Sequence, residues 1–185
     1  MKIIKITVCL SAILTCFAAC NKSDGLPLPT SRGANTFGCK INGNNYIPDK
    51  YEPSVGIYPV VGGFHIDVDG NKGVYIQTSR YDSYLDLYIK NAIIPGIYYL
   101  NTNTIPKPYS IRPDNYGYYA RWISKGISYN GTADYFTNQS YYGRVILTTV
   151  DTISGIVAGT FEFKAYNHIT KDSVIITDGR FDVKH

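Results

Sequence analysis

The side chains with the greatest potential for chemistry in this chain are tyrosines and aspartates that share one face of predicted strands. The sequence has 18 tyrosines, 7 phenylalanines and one tryptophan. A flat phenol ring can stack on the CH groups of a sugar while neighbouring carboxylates bind the sugar hydroxyls. Alternation along the chain therefore predicts an exposed binding surface for a glycan or a partner protein. The residues of this predicted tyrosine surface are Asp67, Tyr75, Tyr84, Asp86, Tyr88 and Trp122.

A structural interpretation of the same tyrosines stays open. Tyrosine is favoured in strands, and cross-strand aromatic pairs stabilise a sheet by about 0.2–1 kcal/mol each. The pattern alone leaves two alternatives, a ligand surface and sheet packing.

Motifs for catalysis and metal binding are missing from the sequence. There is no GxSxG, HExxH or CxxC motif and no phosphate-binding glycine loop. His65 lies on the polar face of its strand, but no nucleophile accompanies it. We therefore assign no catalytic residue, metal or cofactor, and we favour a non-enzymatic protein. A hydrolase with paired carboxylates remains the alternative, because the fold and not the spacing brings such pairs together. A purely structural envelope component is the third possibility.

The segment 67–71 begins like a calcium-binding loop. The resemblance then fails, because Lys72 stands where a glycine is needed and Thr78 where a bidentate glutamate is needed. A hairpin with the five-residue loop 69–73 explains the segment better than a cation site. This hairpin would pair Val68 with Val74, and Asp67 would lie opposite Tyr75. It would also pair Ile66 with Ile76 and His65 with Gln77.

The N-terminus has the features of an export signal. Lys2 and Lys5 precede an apolar run from Ile6 to Ala19, which is shorter than the roughly 20 residues that a membrane span needs. The run ends in Phe-Ala-Ala-Cys20, which resembles the lipobox of bacterial lipoproteins. Residues 1–19 are thus predicted to be a lipoprotein signal peptide, and Cys20 the lipid-modified first residue of the mature chain. An ordinary secretory signal is the alternative.

The residues after Cys20 favour a lipid-anchored protein of the outer membrane, on its periplasmic or outer side. Asn21 replaces the aspartate that favours inner-membrane retention in enteric bacteria. Residues 20–35 are predicted to be a flexible tether, because they are rich in Pro, Gly and small polar residues. Cys39 is then the one cysteine left without lipid in the mature chain, and we expect it to be a small buried hydrophobe.

From residue 36 to residue 185 the sequence predicts a single all-β domain. Apolar and polar residues alternate at period two, with turn residues every eight to twelve positions, and no segment has helical periodicity. The prediction is an antiparallel β-sandwich or flattened β-barrel of about ten strands, because the connections are too short for crossover helices. Residues 101–115 are predicted to be a long loop, and Asp178-Gly179 a turn between the last two strands.

Two terminal segments resemble a known family. The opening TFGCKING at 36–43, the segment GTFEF at 159–163 and the segment ITDGRFDV at 176–183 are similar to those of cell-envelope lipoproteins of Bacteroidetes that form a family of unknown function. The resemblance covers about sixty residues at the two ends. It implies an all-β envelope lipoprotein, and it supplies no activity and no catalytic residues.

Charge excludes one large class of partner. The net charge is +4, and removal of Lys2 and Lys5 with the signal peptide leaves sixteen basic and fourteen acidic residues. No basic tract remains, so we expect no nucleic-acid partner.

Overall fold

The computed structural model describes residues 24–49, 59–66, 70, 72–102, 114–125 and 128–185, with the backbone alone at 124–125 and 128–130. These residues form antiparallel strands and no helix, which confirms the predicted all-β class. The strands are β1 Thr36–Ile41, β2 Asn44–Tyr46, β3 Val60–Ile66, β4 Lys72–Arg80, β5 Ser83–Lys90, β6 Gly96–Leu100, β7 Tyr116–Lys125, β8 Ser128–Phe136, β9 Gly143–Asp151, β10 Ile156–Tyr166 and β11 Ser173–Lys184.

The strands form one curled sheet that folds into two layers. The first layer has the order β6-β9-β10-β11-β1-β2, and the second has the order β8-β7-β5-β4-β3. The two layers are joined where the end of β10 pairs with β8, at Tyr166 and Phe136. Because most of β10 pairs with β9 instead, the sheet divides at this point, and its two halves face each other.

The core lies between the two layers. Val74, Ile76, Leu85 and Leu87 of the second layer are fully buried and belong to the same hydrophobic cluster as the phenylalanines of the first layer. Burial of each such side chain contributes about 1.5–3 kcal/mol. Cys39 is free and fully buried in this cluster, as predicted.

The β3–β4 hairpin differs in register from the prediction. Phe64 pairs with Val74, and Tyr75 lies opposite Gly63 instead of Asp67. Five residues, 67–71, separate the paired ends, so the length of the loop is as predicted but its position is two residues earlier. The prediction placed Gly73 in the loop, but this residue is part of β4. Because it has no Cβ, it can pack against Tyr88, whose hydroxyl would lie within 2.8 Å of an added Cβ. Asp67 and Val68 are outside the described residues.

Two further differences from the predicted pairing follow from the register shifts. Ile66 pairs with Lys72 and not with Ile76, and its side chain is 64% exposed. Gln77 pairs with Val61 and not with His65. Each residue of β4 pairs with a β3 residue four positions earlier than predicted, as when Val74 pairs with Phe64 in place of Val68. Because four is an even number, each side chain stays on its predicted face of the strand.

The Asp178-Gly179 pair forms an irregularity within one strand and not the predicted turn. β11 is continuous across it, and the register with β10 shifts between Phe161 and Phe163. Asp178 has a positive φ of 53°. A Cβ on Gly179 would lie 2.6 Å from the ring of Phe161. The glycine therefore makes room for a core aromatic ring and does not reverse the chain.

The N-terminal segment 24–35, which we call the strap, packs on the first layer. Leu26 is 6% exposed, and the ring of Pro27 lies against Gly38. The hydroxyl of Thr30 and the backbone N–H groups of residues 32–34 donate hydrogen bonds to Asp182 of β11. These contacts correct the flexible tether predicted for 20–35, since the part from residue 24 onward is held on the domain.

Candidate functional site

The predicted tyrosine surface lies on the outer face of the second layer. Tyr75 pairs with Tyr88, which pairs in turn with Tyr116, so the tyrosines form a ladder across β4, β5 and β7. Asp86 and Tyr84 share this face, as the alternation predicted. Asp67 is outside the described residues, and its place on this surface stays a prediction.

The expected exposure of this surface is wrong for two of its residues. Tyr88 is fully buried, and Asp86 is 4% exposed. The ring of Tyr88 has His65 at 6.3 Å on one side and Tyr116 at 6.0 Å on the other. Asp86 accepts a hydrogen bond of 2.9 Å from the hydroxyl of Tyr116. Both groups are held by their neighbours and are not presented to solvent.

The remaining residues of this surface are more accessible. Tyr75 and Tyr84 are half-buried, and Trp122 is 44% exposed. The ring of Tyr84 lies 6.0 Å from that of Tyr118, which stacks on Phe136 at 4.6 Å. The ladder is thus an extended layer of ring contacts, which agrees with the structural interpretation of these tyrosines.

A different group of tyrosines lines a polar cleft between the two layers. The cleft has a volume of about 300 Å³ and lies at the end of the sandwich where the β1–β2 and β4–β5 turns meet. Buried tyrosines from three strands line it, and polar side chains from the turns surround them. We call this the tyrosine cleft, and its main residues are Asn42, Asn44, Asn45, Tyr46, Arg80, Asp82, Ser83, Tyr119, Arg121, Tyr135 and Asp172.

The cleft arises because the inward-facing positions of the second layer become polar toward this end. Along β4 they change from Val74 and Ile76 to Thr78, and the hairpin partner β5 begins with the buried Ser83. On β7, Tyr119 is the inward residue that follows the close approach of Gly117 to the core. This gradient is visible in the alternation of the sequence, and it is the signal that could have predicted the cleft.

Hydrogen bonds hold the hydroxyl groups of the cleft in place. The hydroxyls of Tyr46 and Thr78 share a hydrogen bond of 3.0 Å across the two layers. Tyr135 donates to Asp172 at 3.2 Å, and Ser83 donates to the carboxylate of its neighbour Asp82 at 2.7 Å. Buried polar groups are expensive unless they are satisfied, so this network fixes the geometry of the cleft.

Two arginines and two aspartates balance the charge around the cleft. The guanidinium of Arg80 lies 5.5 Å from the ring centroid of Tyr46, and its Nε is 3.5 Å from a carboxylate oxygen of Asp82. Arg121 is exposed on the same side, and Asp172 lies on the loop before β11. The cleft is consequently polar without a net charge, and it offers both donors and acceptors.

The three tyrosines of the cleft are hydrogen-bond donors and acceptors but not bases. Burial raises the pKa of Tyr46, and the hydrogen bond with Thr78 offsets only part of this effect. Burial also raises the pKa of Tyr119 and of Tyr135, with the charge of Asp172 adding to the effect at Tyr135. The phenols stay protonated at neutral pH, which suits recognition of hydroxyl groups.

A wider depression lies on the outer face of the first layer. It has a volume of about 690 Å³, and Tyr99 and Tyr142 at its border are each more than half exposed. Between them Arg144 and Glu162 form a solvent-exposed ion pair of 2.8 Å. Neither Tyr99 nor Tyr142 lines the tyrosine cleft.

The described residues include no group of three or more His, Cys, Asp and Glu side chains that could hold a metal ion. Within the same residues, no helix is long and apolar enough to cross a membrane. Comparison of the chain with protein-family models, with curated proteins and with solved structures found no match.

Proposed function

We propose that this protein is a lipid-anchored, non-enzymatic binding module of the bacterial outer membrane, with a glycan as its ligand. In this proposal Cys20 carries the lipid, and the chain belongs to the Bacteroidetes lipoproteins that its two ends resemble. The ligand site is the tyrosine cleft, in place of the outward tyrosine ladder.

One observation carries the proposal: a cleft of about 300 Å³ in which three buried tyrosines face a balanced set of charged side chains. This volume is at the lower limit of the range of about 300–1,000 Å³ that is common for ligand pockets. It suits one terminal sugar ring better than a drug-sized molecule or a protein surface.

The balance of charge favours a neutral polyhydroxylated ligand over an anion. Asp82 and Asp172 would repel a phosphate or carboxylate that approached Arg80 or Arg121. A sugar can instead bind carboxylates and guanidinium groups together. Each of its hydroxyls can donate a hydrogen bond to a carboxylate and accept one from a guanidinium group. The edges of the tyrosine rings can contact its CH groups.

A binding experiment with matched variants tests the site. The soluble protein from Asn21 onward is screened on a glycan array, and the best oligosaccharide is then measured by calorimetry. Tyr135→Phe and Arg121→Ala each remove one polar group of the cleft and should weaken binding about tenfold, the equivalent of about 1.4 kcal/mol. Tyr142→Ala removes an exposed tyrosine from the outer depression and should leave the affinity unchanged. If instead Tyr142→Ala abolished binding and the two cleft variants kept the wild-type affinity, the site would lie in the outer depression.

A hydrolase is the second candidate, because Asp82 and Asp172 both line the cleft. Each carboxylate already accepts a hydroxyl hydrogen bond, from Ser83 and Tyr135 respectively. We therefore expect the bound oligosaccharide to be recovered intact after long incubation. Release of shorter products that is lost in Asp82→Asn or Asp172→Asn would establish the hydrolase instead.

The anchor is tested separately. Mass spectrometry of the mature protein should find an acylated Cys20 at the N-terminus, and Cys20→Ser should release the protein from membrane fractions. If the thiol is unmodified, the anchor is wrong, whatever the cleft binds.

A further inference from the structure

The strap is held by one carboxylate of the opposite chain end. Asp182 is fully buried, and its oxygens accept hydrogen bonds from the hydroxyl of Thr30 at 2.6 Å and from the backbone N–H of Gly33 at 2.7 Å. The N–H groups of Arg32 and Ala34 complete the set at 3.0 and 3.1 Å. A buried carboxylate with four donors around it is a strong attachment, because charge-assisted hydrogen bonds are about twice as strong as neutral ones.

The first described residues of the strap lie beside the tyrosine cleft. Arg180 forms an ion pair with Asp24. The side chain of Asn45 donates a hydrogen bond of 2.8 Å to the backbone carbonyl of Asp24. Asn45 is also one of the residues that line the cleft. One residue therefore contacts both the strap and the cleft.

Chain length limits how far the cleft can be from the lipid. Cys20 precedes Asp24 by four residues, and an extended chain of four residues spans at most about 14 Å. If the strap were released up to Asn35, fifteen residues would separate Cys20 from the domain, and the limit would rise to about 50 Å.

We propose that the strap is a fixed spacer which holds the tyrosine cleft beside the bilayer, where it binds the sugar headgroup of a glycolipid of the same membrane. The inference rests on the proposed function, since it takes both the lipid on Cys20 and the glycan site from there. The strap contributes what a flexible tether could not, namely a constant short distance between the cleft and the membrane surface.

A strap variant tests the spacer directly. A side chain on Gly33 would meet Cβ of Lys184 at 2.8 Å, and the positive φ of 75° adds strain, so Gly33→Val should dislodge the strap without altering the core. Gly70 has a similar φ of 78° and no atom within 4 Å of an added Cβ, so Gly70→Val is the matched control. Trypsin cleavage after Arg32 should be slow in the wild type and in the control, and fast in Gly33→Val.

The distance to the membrane is measured with the single tryptophan. Trp122 follows Arg121 of the cleft directly, so its energy transfer to a dansyl lipid reports how close the cleft lies to the bilayer. The lipidated mature protein, from Cys20 onward, is reconstituted in phosphatidylcholine vesicles that contain the dansyl lipid. We expect strong transfer in the wild type and in Gly70→Val, and loss of most of it in Gly33→Val and in Asp182→Asn. Equal transfer in all four proteins would overturn the spacer.

The source of the sugar is tested with the array oligosaccharide in two forms, free in solution and coupled to phosphatidylethanolamine in the vesicles. Gly33→Val should bind the free form like the wild type. Its apparent affinity for the membrane-bound form should fall about sevenfold, because effective concentration decreases as roughly the three-halves power of linker length from four to fifteen residues.

Each failure has a distinct meaning. Equal affinity of wild type and Gly33→Val for the coupled form would overturn the glycolipid as ligand, while the free form could still support the cleft. If no array glycan binds, the sugar is wrong in both proposals, and energy transfer still decides whether the strap is a spacer.

Discussion

The hydroxyl of Tyr46 and the hydroxyl of Thr78 lie 3.0 Å apart and are both buried, although they belong to opposite layers of the sandwich. Tyr46 ends the short strand β2 at one edge of the first layer, and Thr78 is an inward residue of β4. This hydrogen bond therefore joins the two layers beneath the tyrosine cleft. It is neither a local contact nor a contact within one layer.

We predict that Tyr46→Phe destabilises the protein by about 1–3 kcal/mol, because the hydroxyl of Thr78 is left buried without this partner. The double variant Tyr46→Phe with Thr78→Val should lose less than the sum of the two single variants, since both polar groups are then removed together. Urea denaturation of the four proteins measures the coupling. Strict additivity would show that the hydrogen bond contributes nothing to stability.

The attachment of the strap predicts a loss of stability in acid. Burial by itself raises the pKa of Asp182, but the hydrogen bonds from Thr30 and the strap amides outweigh it, so the pKa is lowered overall. A carboxyl group with a lowered folded-state pKa stabilises the protein fully above its unfolded value of about 3.9. This contribution is lost as the pH falls through the lower folded-state pKa.

The contribution of Asp182 to the free energy of unfolding should therefore stay constant as the pH varies near neutrality and should decrease below about pH 4. Asp182→Asn should be less stable than the wild type at pH 7 by about 1.5–3 kcal/mol, the range for hydrogen bonds to a charged group. The difference between the two proteins should narrow at acid pH. The other carboxylates are common to both proteins. If the free energies of unfolding of the two proteins followed parallel curves from pH 7 to pH 2, the role of this charge would be contradicted.

Alternation predicted the strands and their faces well, because a strand buried on one side imposes a period of two on its sequence. It predicted correctly that Val74, Ile76, Leu85, Leu87 and Ile89 point inward. It missed β8, whose residues from Ser128 to Phe136 include the Asn130-Gly131 pair that is typical of a turn. β7 pairs with β8 on both sides of this pair, and the register shifts between Trp122 and Ser124, so the pair forms an irregularity within the strand and not a turn.

The predicted exposure was wrong at Tyr88 and Asp86, where the depth of a residue matters and not only its face. Tyr88 and Tyr119 are both tyrosines on alternating strands, and a period of two gives the face of each residue but not how deeply its neighbours bury it. Arg180 and Asp182 of the ITDGRFDV segment showed a similar limit, because their partners Asp24 and Thr30 lie about 150 residues away in the chain. Contacts at that separation are set by the fold as a whole, and no periodicity reports them.

The irregularity in β11 predicts a specific intolerance at Gly179. A methyl group there would lie 2.6 Å from the ring of Phe161, which is 3% exposed. Gly179→Ala should destabilise the protein by about 1–3 kcal/mol, the usual range for an overpacked core. Thr160→Ala, at an exposed position next to Phe161, is the control and should change stability by less than about 0.5 kcal/mol. Thermal unfolding compares the two variants, and equal melting temperatures would show that the core accommodates a methyl group at Gly179.

The tyrosine ladder provides the last prediction, because it separates sheet packing from ligand binding in one pair of variants. Tyr88 is fully buried between His65 and Tyr116, whereas Tyr84 on the same strand is only half-buried. Tyr88→Ala should lower the free energy of unfolding by about 3–5 kcal/mol, the range for truncation of a buried aromatic side chain. Tyr84→Ala should lower it by less, and neither variant should weaken glycan binding at temperatures where it is folded. If Tyr88→Ala keeps its stability and loses the glycan, the ladder and not the cleft is the binding site.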